Sequence, residues 1–201
     1  MSILGCALII LSGNIQANYK LGKDFGSLTR PLPVKQDGVV EVIEVFWYGC
    51  GHCFNLAPAV SSWSKKKDSS VSFQKMPVTW GPVHQLHAKL FYTIEALGIG
   101  ETGHTAVFTA IHKEGNFLSS DGAILDFLEK LGMDRSETIK YMNSFSVRQK
   151  VKRAIEISKQ FKVTATPMMF VDGQYRVEAK GGNSKMLKVV DHVIELQKPL
   201  S

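Results

Sequence analysis

Two thiols two residues apart, in Cys50-Gly51-His52-Cys53, can exchange a disulfide bond with another molecule. An apolar run from Val39 to Tyr48 precedes them, and a helix-like segment from Phe54 to Lys67 follows. At the start of a helix the first cysteine meets unpaired backbone N–H groups and the positive end of the helix dipole, both of which favour a thiolate. A stabilised thiolate is a good leaving group, so an oxidised pair at this position is reactive. The loop it closes is too short to restrain much unfolded chain, which argues against a merely structural disulfide.

The rest of the chain offers little competing chemistry. Its 201 residues contain one other cysteine, Cys6, so no framework of structural disulfides is available and an apolar core must hold the fold. Cys6 lies in the apolar stretch Ile3 to Leu11, which has the length of a signal-peptide core, and Ile15-Gln16-Ala17 offers an imperfect cleavage site. Export is expected, with residues 1–17 as a leader that is either cleaved or kept as an anchor. Once the leader is removed, Cys50 and Cys53 are the two remaining cysteines, and an oxidising compartment will pair them. The formal net charge is +6, but the cations read as scattered, and Lys65-Lys66-Lys67 falls near a predicted helix end, where cations complement the dipole. No nucleic-acid partner is therefore expected. Cys50 and Cys53 with His84 and His87 supply the donors of a zinc module, yet thirty residues separate Cys53 from His84, and no metal is expected. A further rival is a chaperone-like groove around Trp80, Met168 and Met169, although such residues at these spacings are more often core.

The elements that would position the thiols are legible from periodicity. Val39 to Trp47 is β-branched and aromatic, bounded by Asp37-Gly38 and Gly49, and reads as a buried central strand in which Glu44 is out of place. The helix after the thiols carries Leu56, Val60 and Trp63 on one side, with Pro58 inside it, and Val71 to Val78 reads as a second strand. The β-α-β unit puts the thiols at a strand-to-helix junction, where open α/β sheets place their chemistry. From Pro82 to Phe161 the period is helical, with segments near 82–97, 104–114, 121–131, 134–143 and 145–161. Asp172-Gly173 between two short apolar runs predicts a type I′ hairpin, and Asn183 is placed to cap a last helix carrying Met186, Leu187, Val190, Val193 and Ile194.

With these elements in place the chain resembles the thioredoxin superfamily and, within it, the DsbA group of bacterial periplasmic thiol-disulfide oxidoreductases. Four features carry the resemblance: Phe46-Trp47-Tyr48-Gly49-Cys50-Gly51-His52-Cys53, the helical block between two sheet halves, Thr166-Pro167 at the family's cis-proline position, and Met169 to Tyr175 after it. Tyr19 to Phe25 is similar to the family's N-terminal strand. The implied fold class is α/β, a thioredoxin fold with a central mixed sheet flanked by helices and an inserted all-helical domain. The implied domains are a first thioredoxin-like part over 18–81, the insert over 82–161 and a second part over 162–201.

The resemblance also implies roles. Cys50 is the exposed sulfur that a substrate thiolate attacks, and Cys53 is the resolving one. His52 stabilises the Cys50 thiolate; cysteines so placed have pKa values of about 3.5 to 7.5, and the resemblance implies a value toward the low end. Glu44 matches the family's buried acid that moves protons for the buried thiol, and Lys75 matches the lysine paired with it. A cis Thr166-Pro167 bond turns the backbone of Thr166 toward a substrate peptide. The alternatives are an edge position from which Glu44 reaches water, a surface histidine at 52, and an ordinary trans turn at Pro167. Gly51 stands where the best-known oxidases have proline, and Thr166 where they often have valine. Both variants resemble disulfide isomerases, so net oxidation and reshuffling both stay open, although Asn18 to Gln36 is too short for the separate dimerisation domain of periplasmic isomerases. The implied partners are reduced or unfolded exported proteins and a quinone-linked membrane reoxidase. A periplasmic monomer without a cofactor is expected.

Overall fold

The computed structural model describes residues 19–33 and 37–198; the expected leader, its cleavage site and Cys6 lie outside them. A five-stranded mixed sheet runs in the order β1-β5-β4-β2-β3, built from β1 (Gly26–Ser27), β2 (Val40–Phe46), β3 (Val71–Pro77), β4 (Met168–Val171) and β5 (Tyr175–Glu178). β2 and β3 are parallel, joined through α1 (Gly51–Ser64), and β4 lies antiparallel on the other side of β2. Between β3 and β4 the chain makes five helices: α2 (Pro82–Ala96), α3 (Gly100–His112), α4 (Asp121–Lys130), α5 (Arg135–Met142) and α6 (Phe145–Gln160). α7 (Asn183–Gln197) closes the order of elements. This is the order of elements that the periodicities predict, in the mixed sheet with flanking helices and a helical insert that the resemblance implies.

β2 explains why Glu44 looks anomalous. Side chains alternate along a strand, and Ile43 and Val45 pack with Met76, Ala154, Phe161 and Phe170 on one face. On the other face Val40 and Val42 pack with Leu56, Val60 and Trp63 of α1 and with α7, while Phe46 joins the core of the insert. Glu44 shares the parity of Val42 and Phe46, and so lies between two apolar clusters on the face that α1 covers. Because β3 and β4 flank β2, Glu44 is not at an edge, and it is only 2% exposed.

The hairpin between β4 and β5 turns at Asp172 and Gly173, both with positive φ, and Gln174 N–H donates to Val171 O at 3.0 Å, as a type I′ turn requires. Three sequence expectations need correction. α1 begins at Gly51 rather than Phe54, because Cys50 itself caps it. Asn183 is the first residue of α7 and not its cap; the cap position belongs to Gly182, at φ 91°. Tyr19 to Phe25 is a turn rather than a strand, since Asp24 accepts from Lys20 N–H and Gly22 N–H donates to Phe25 O, so β1 starts only at Gly26.

Candidate active site

Cys50 occupies the N-cap of α1 with an extended backbone (φ −89°, ψ 112°), and its sulfur accepts from Cys53 N–H at 3.3 Å. Both cysteines are thiols, Cys50 half-buried and Cys53 buried. Their environments push them in opposite directions. The Cys53 thiol donates toward Cys50 and lowers its pKa most; burial opposes this, and the Thr166 hydroxyl with the N–H groups of Cys53 and His52 adds to the lowering, so Cys50 falls from 9.0 to about 5. Burial, and then the Cys50 sulfur beside it, push Cys53 far up. One sulfur is therefore a thiolate near neutral pH and its neighbour keeps its proton.

Thr166 and Pro167 meet the pair from the far side of the insert in sequence. The Thr166–Pro167 peptide is cis, and Cys50 Sγ lies 3.6 Å from Thr166 O. Gly51, at the first position of α1, has open space where a side chain would stand, and the His52 side chain is exposed on the same turn.

Behind the thiols, Glu44 pairs in register with Lys75 of β3. Lys75 Nζ, however, forms its ion pair with Glu101 of α3, at 3.0 Å, and leaves Glu44 Oε2 buried without a hydrogen-bond partner. Burial raises Glu44 from 4.5 to about 7, Lys75 opposes the rise, and Glu101 adds to it. Glu101 itself falls below the ordinary carboxylate range: burial opposes the shift, but hydrogen bonding and charge from Lys75, and a hydrogen bond from Ser61, outweigh it. The site thus holds an acid that titrates near neutrality, linked through one lysine to a half-exposed carboxylate on the insert.

The insert also grips the two aromatic residues that lead into the cysteine turn. Trp47 Nε1 donates to His87 Nδ1 at 3.2 Å, which leaves His87 Nε2–H to donate to Phe117 O at 3.0 Å, and His84 packs on the indole at 4.5 Å. Tyr48 is fully buried; its hydroxyl shares a hydrogen bond with His104 Nδ1 at 3.1 Å, and its carbonyl accepts from His112 Nε2 at 2.8 Å. His112 stacks on Phe54 of α1 at 4.8 Å and 10°. Burial, and then Lys75, hold His104 neutral with a pKa of about 3. Gly49 is required by the close indole, since a Cβ there would stand 2.5 Å from the Trp47 ring.

These contacts account for His84 and His87 as supports of Trp47, and among the described residues no three His, Cys, Asp or Glu side chains come together as a metal site. Met168 and Met169 are core residues of β4, so the apolar groove considered around them reduces to Trp80, which is 46% exposed with its Nε1 donating to Val163 O. Glu101, His104 and His112 were not singled out from sequence. The i, i+8 spacing of His104 and His112, which puts both on one face of α3, is the signal that points to them.

Known proteins share this arrangement. The model of the DSBA-like thioredoxin domain matches residues 41–193. The chain is 36% identical over 183 residues to the thiol:disulfide interchange protein DsbA of Pseudomonas aeruginosa, covering 90% of this chain and 87% of that protein. It is 39% identical over 188 residues to the DsbA of Burkholderia cepacia, covering 92% and 89%. The crystal structure of Pseudomonas aeruginosa DsbA superposes with a TM-score of 0.84 at 36% identity, over 89% of this chain and 94% of that one.

Proposed function

The chain belongs to the DSBA-like thioredoxin family and is a thiol:disulfide oxidoreductase, and we propose that it works as a net oxidase, passing its Cys50–Cys53 disulfide to reduced proteins exported to the periplasm. The observation that carries this direction is the convergence of hydrogen bonds on Cys50 Sγ, which lowers its pKa to about 5. A stabilised thiolate favours the reduced pair, so the oxidised pair takes electrons readily.

In the reaction a substrate thiolate attacks Cys50 Sγ, and the Cys50–Cys53 bond breaks toward Cys53. The buried Cys53 sulfur cannot remain charged, and takes a proton whose source is the Glu44 carboxylic acid. A second substrate thiolate then attacks the substrate sulfur of the mixed disulfide, and Cys50 leaves as a thiolate. Two electrons have entered the enzyme, the proton on Cys53 has moved over from Glu44, which regains one from solvent, and the substrate holds a new disulfide. Thr166 presents its backbone beside the sulfur to align the substrate peptide, Pro167 shapes that turn, and Lys75 tunes Glu44. His52 acts on Cys50 through its backbone N–H, and its exposed ring faces the incoming substrate. Reoxidation falls to a quinone-linked membrane partner of the DsbB kind.

A second reading, isomerase or reductase, is favoured by Gly51 and Thr166. Equilibration of the Cys50–Cys53 couple against a glutathione buffer separates the two. A potential near about −120 mV, which is the reference value for DsbA and not one derived from this chain, is expected for the oxidase; a value near about −270 mV would overturn it.

A further inference from the structure

The excess charge of the protein is not spread over its surface. Residues 145–162 hold six cations, Arg148, Lys150, Lys152, Arg153, Lys159 and Lys162, against one acid, Glu156, so a net of +5 sits there out of +6 for the whole chain. The cations are scattered, as the sequence reading has them, but their excess over acids is not, since α6 carries five cations against one acid. All six are exposed. Among the described residues none of them forms an ion pair; Lys150 lies over the Tyr92 ring at 5.9 Å, and Arg148 donates to Asn143 O.

α6 is anchored through Val147, Ala154 and Ser158, which are buried. Arg148, Lys152 and Lys159 are spaced i, i+4 and i+11, which aligns them on one outward flank over roughly 17 Å of helix, with Glu156 beside it, four residues after Lys152 and three before Lys159. Phe145 begins that face and is 69% exposed, the most exposed large apolar side chain described. Lys150 and Arg153 turn instead toward a groove of about 420 Å³ beside β3 and do not belong to the stripe.

We propose that the face formed by Phe145, Arg148, Lys152 and Lys159 seats the protein on an anionic lipid surface. Cations in a row with no carboxylate paired to them cost self-repulsion, which marks them for an outside anion. The face is the convex outer side of a single helix, so it suits a planar layer of headgroups better than an extended acidic peptide, which would need a cleft. Phe145 adds what charge alone does not require, a ring placed to enter the boundary between headgroups and acyl chains while the cations meet the phosphates. The redox chemistry plays no part in this inference, and the two can fail separately.

The test is partition of the full-length protein onto phosphatidylcholine vesicles with and without 30% phosphatidylglycerol, by co-sedimentation at low and high salt. The ratio of the two affinities isolates the charge-dependent part from any contribution of the N-terminal segment. The expected result is a strong preference for anionic vesicles that salt abolishes, and a decrease of about 100-fold in Arg148→Gln/Lys152→Gln/Lys159→Gln. The variant should keep wild-type thiol-disulfide exchange, which shows that it is folded. Equal partition onto both vesicle types, or an unchanged preference in the variant, overturns the proposal. So does retention on DNA or an acidic polypeptide without vesicle binding, which would assign the face to another class of partner.

Discussion

Glu44 concentrates the conflict between burial and charge at the residue scale. Folding raises its pKa from 4.5 to about 7, so between those values the folded state binds a proton that the unfolded state releases, and stability falls as pH rises. The loss is complete above about pH 7 and amounts to about 3 kcal/mol at most. Glu44→Gln, which cannot ionise, escapes that loss. Urea unfolding is therefore expected to show the variant gaining on the wild type by up to about 3 kcal/mol between pH 4 and pH 8. A difference that does not change with pH would mean that Glu44 keeps an ordinary carboxylate pKa. The place of Glu44 was legible in the sequence, because a lone acid in a β-branched run has few innocent explanations. The partner of Lys75 was not: Glu101 lies 26 residues from it, on another element, and strand periodicity carries no information about which carboxylate a long side chain will reach.

At the scale of elements, the turn between β2 and α1 is held from outside itself. Hydrogen bonds spanning 40, 56 and 64 residues tie Trp47 and Tyr48 to α2 and α3, so the helical insert fixes the approach to Cys50. Gly49 lets the indole lie flat against the turn. Gly49→Ala would drive a Cβ into the ring and displace it from His87 and His84, at an expected cost of about 1 to 3 kcal/mol. Chemical denaturation together with Trp47 emission would show both effects, and a change below about 0.5 kcal/mol with unaltered emission would exclude the wedge. The helices themselves were readable from their 3.6-residue period. What periodicity cannot supply is which histidine meets which aromatic across the insert: the sequence offers His84 and His87 only as donors of a zinc module that the spacing disfavours, with nothing to point to the indole.

For the whole molecule, the opposite tuning of the two sulfurs links redox state to stability. With both cysteines reduced, Cys50 is ionised in the folded state from about pH 5 but in the unfolded state only near 9.0, so the folded reduced form gains stability as pH rises through that window and loses it as pH falls toward 5. The oxidised form has no such groups to titrate. Calorimetry is expected to show the reduced protein gaining on the oxidised one from pH 5 to pH 9, with the trend reversing above 9.0, where the unfolded state can ionise Cys53 and the folded state resists it. A gap that is flat over this range would refute the stabilised thiolate. The fold was largely legible because strands, helices and the hairpin each follow local rules. The N-terminal stretch before β1 differs from its reading because that reading rested on likeness to the family's strand, whereas Gly22 and Asp24 are turn formers and make a turn here.

The position of β3 in the sheet has one more consequence, which concerns the company the protein keeps while it folds. β3 pairs with β2 alone, so its outer side is an open edge, and an apolar strand such as Val71-Ser72-Phe73 left there is a template for other unfolded chains. Ser72 and Gln74 are the exposed positions along it, and Pro77 ends it with no N–H to offer, which blunts the template. The outer edge of the sheet is thereby guarded against pairing with a second unfolded copy while the chain folds.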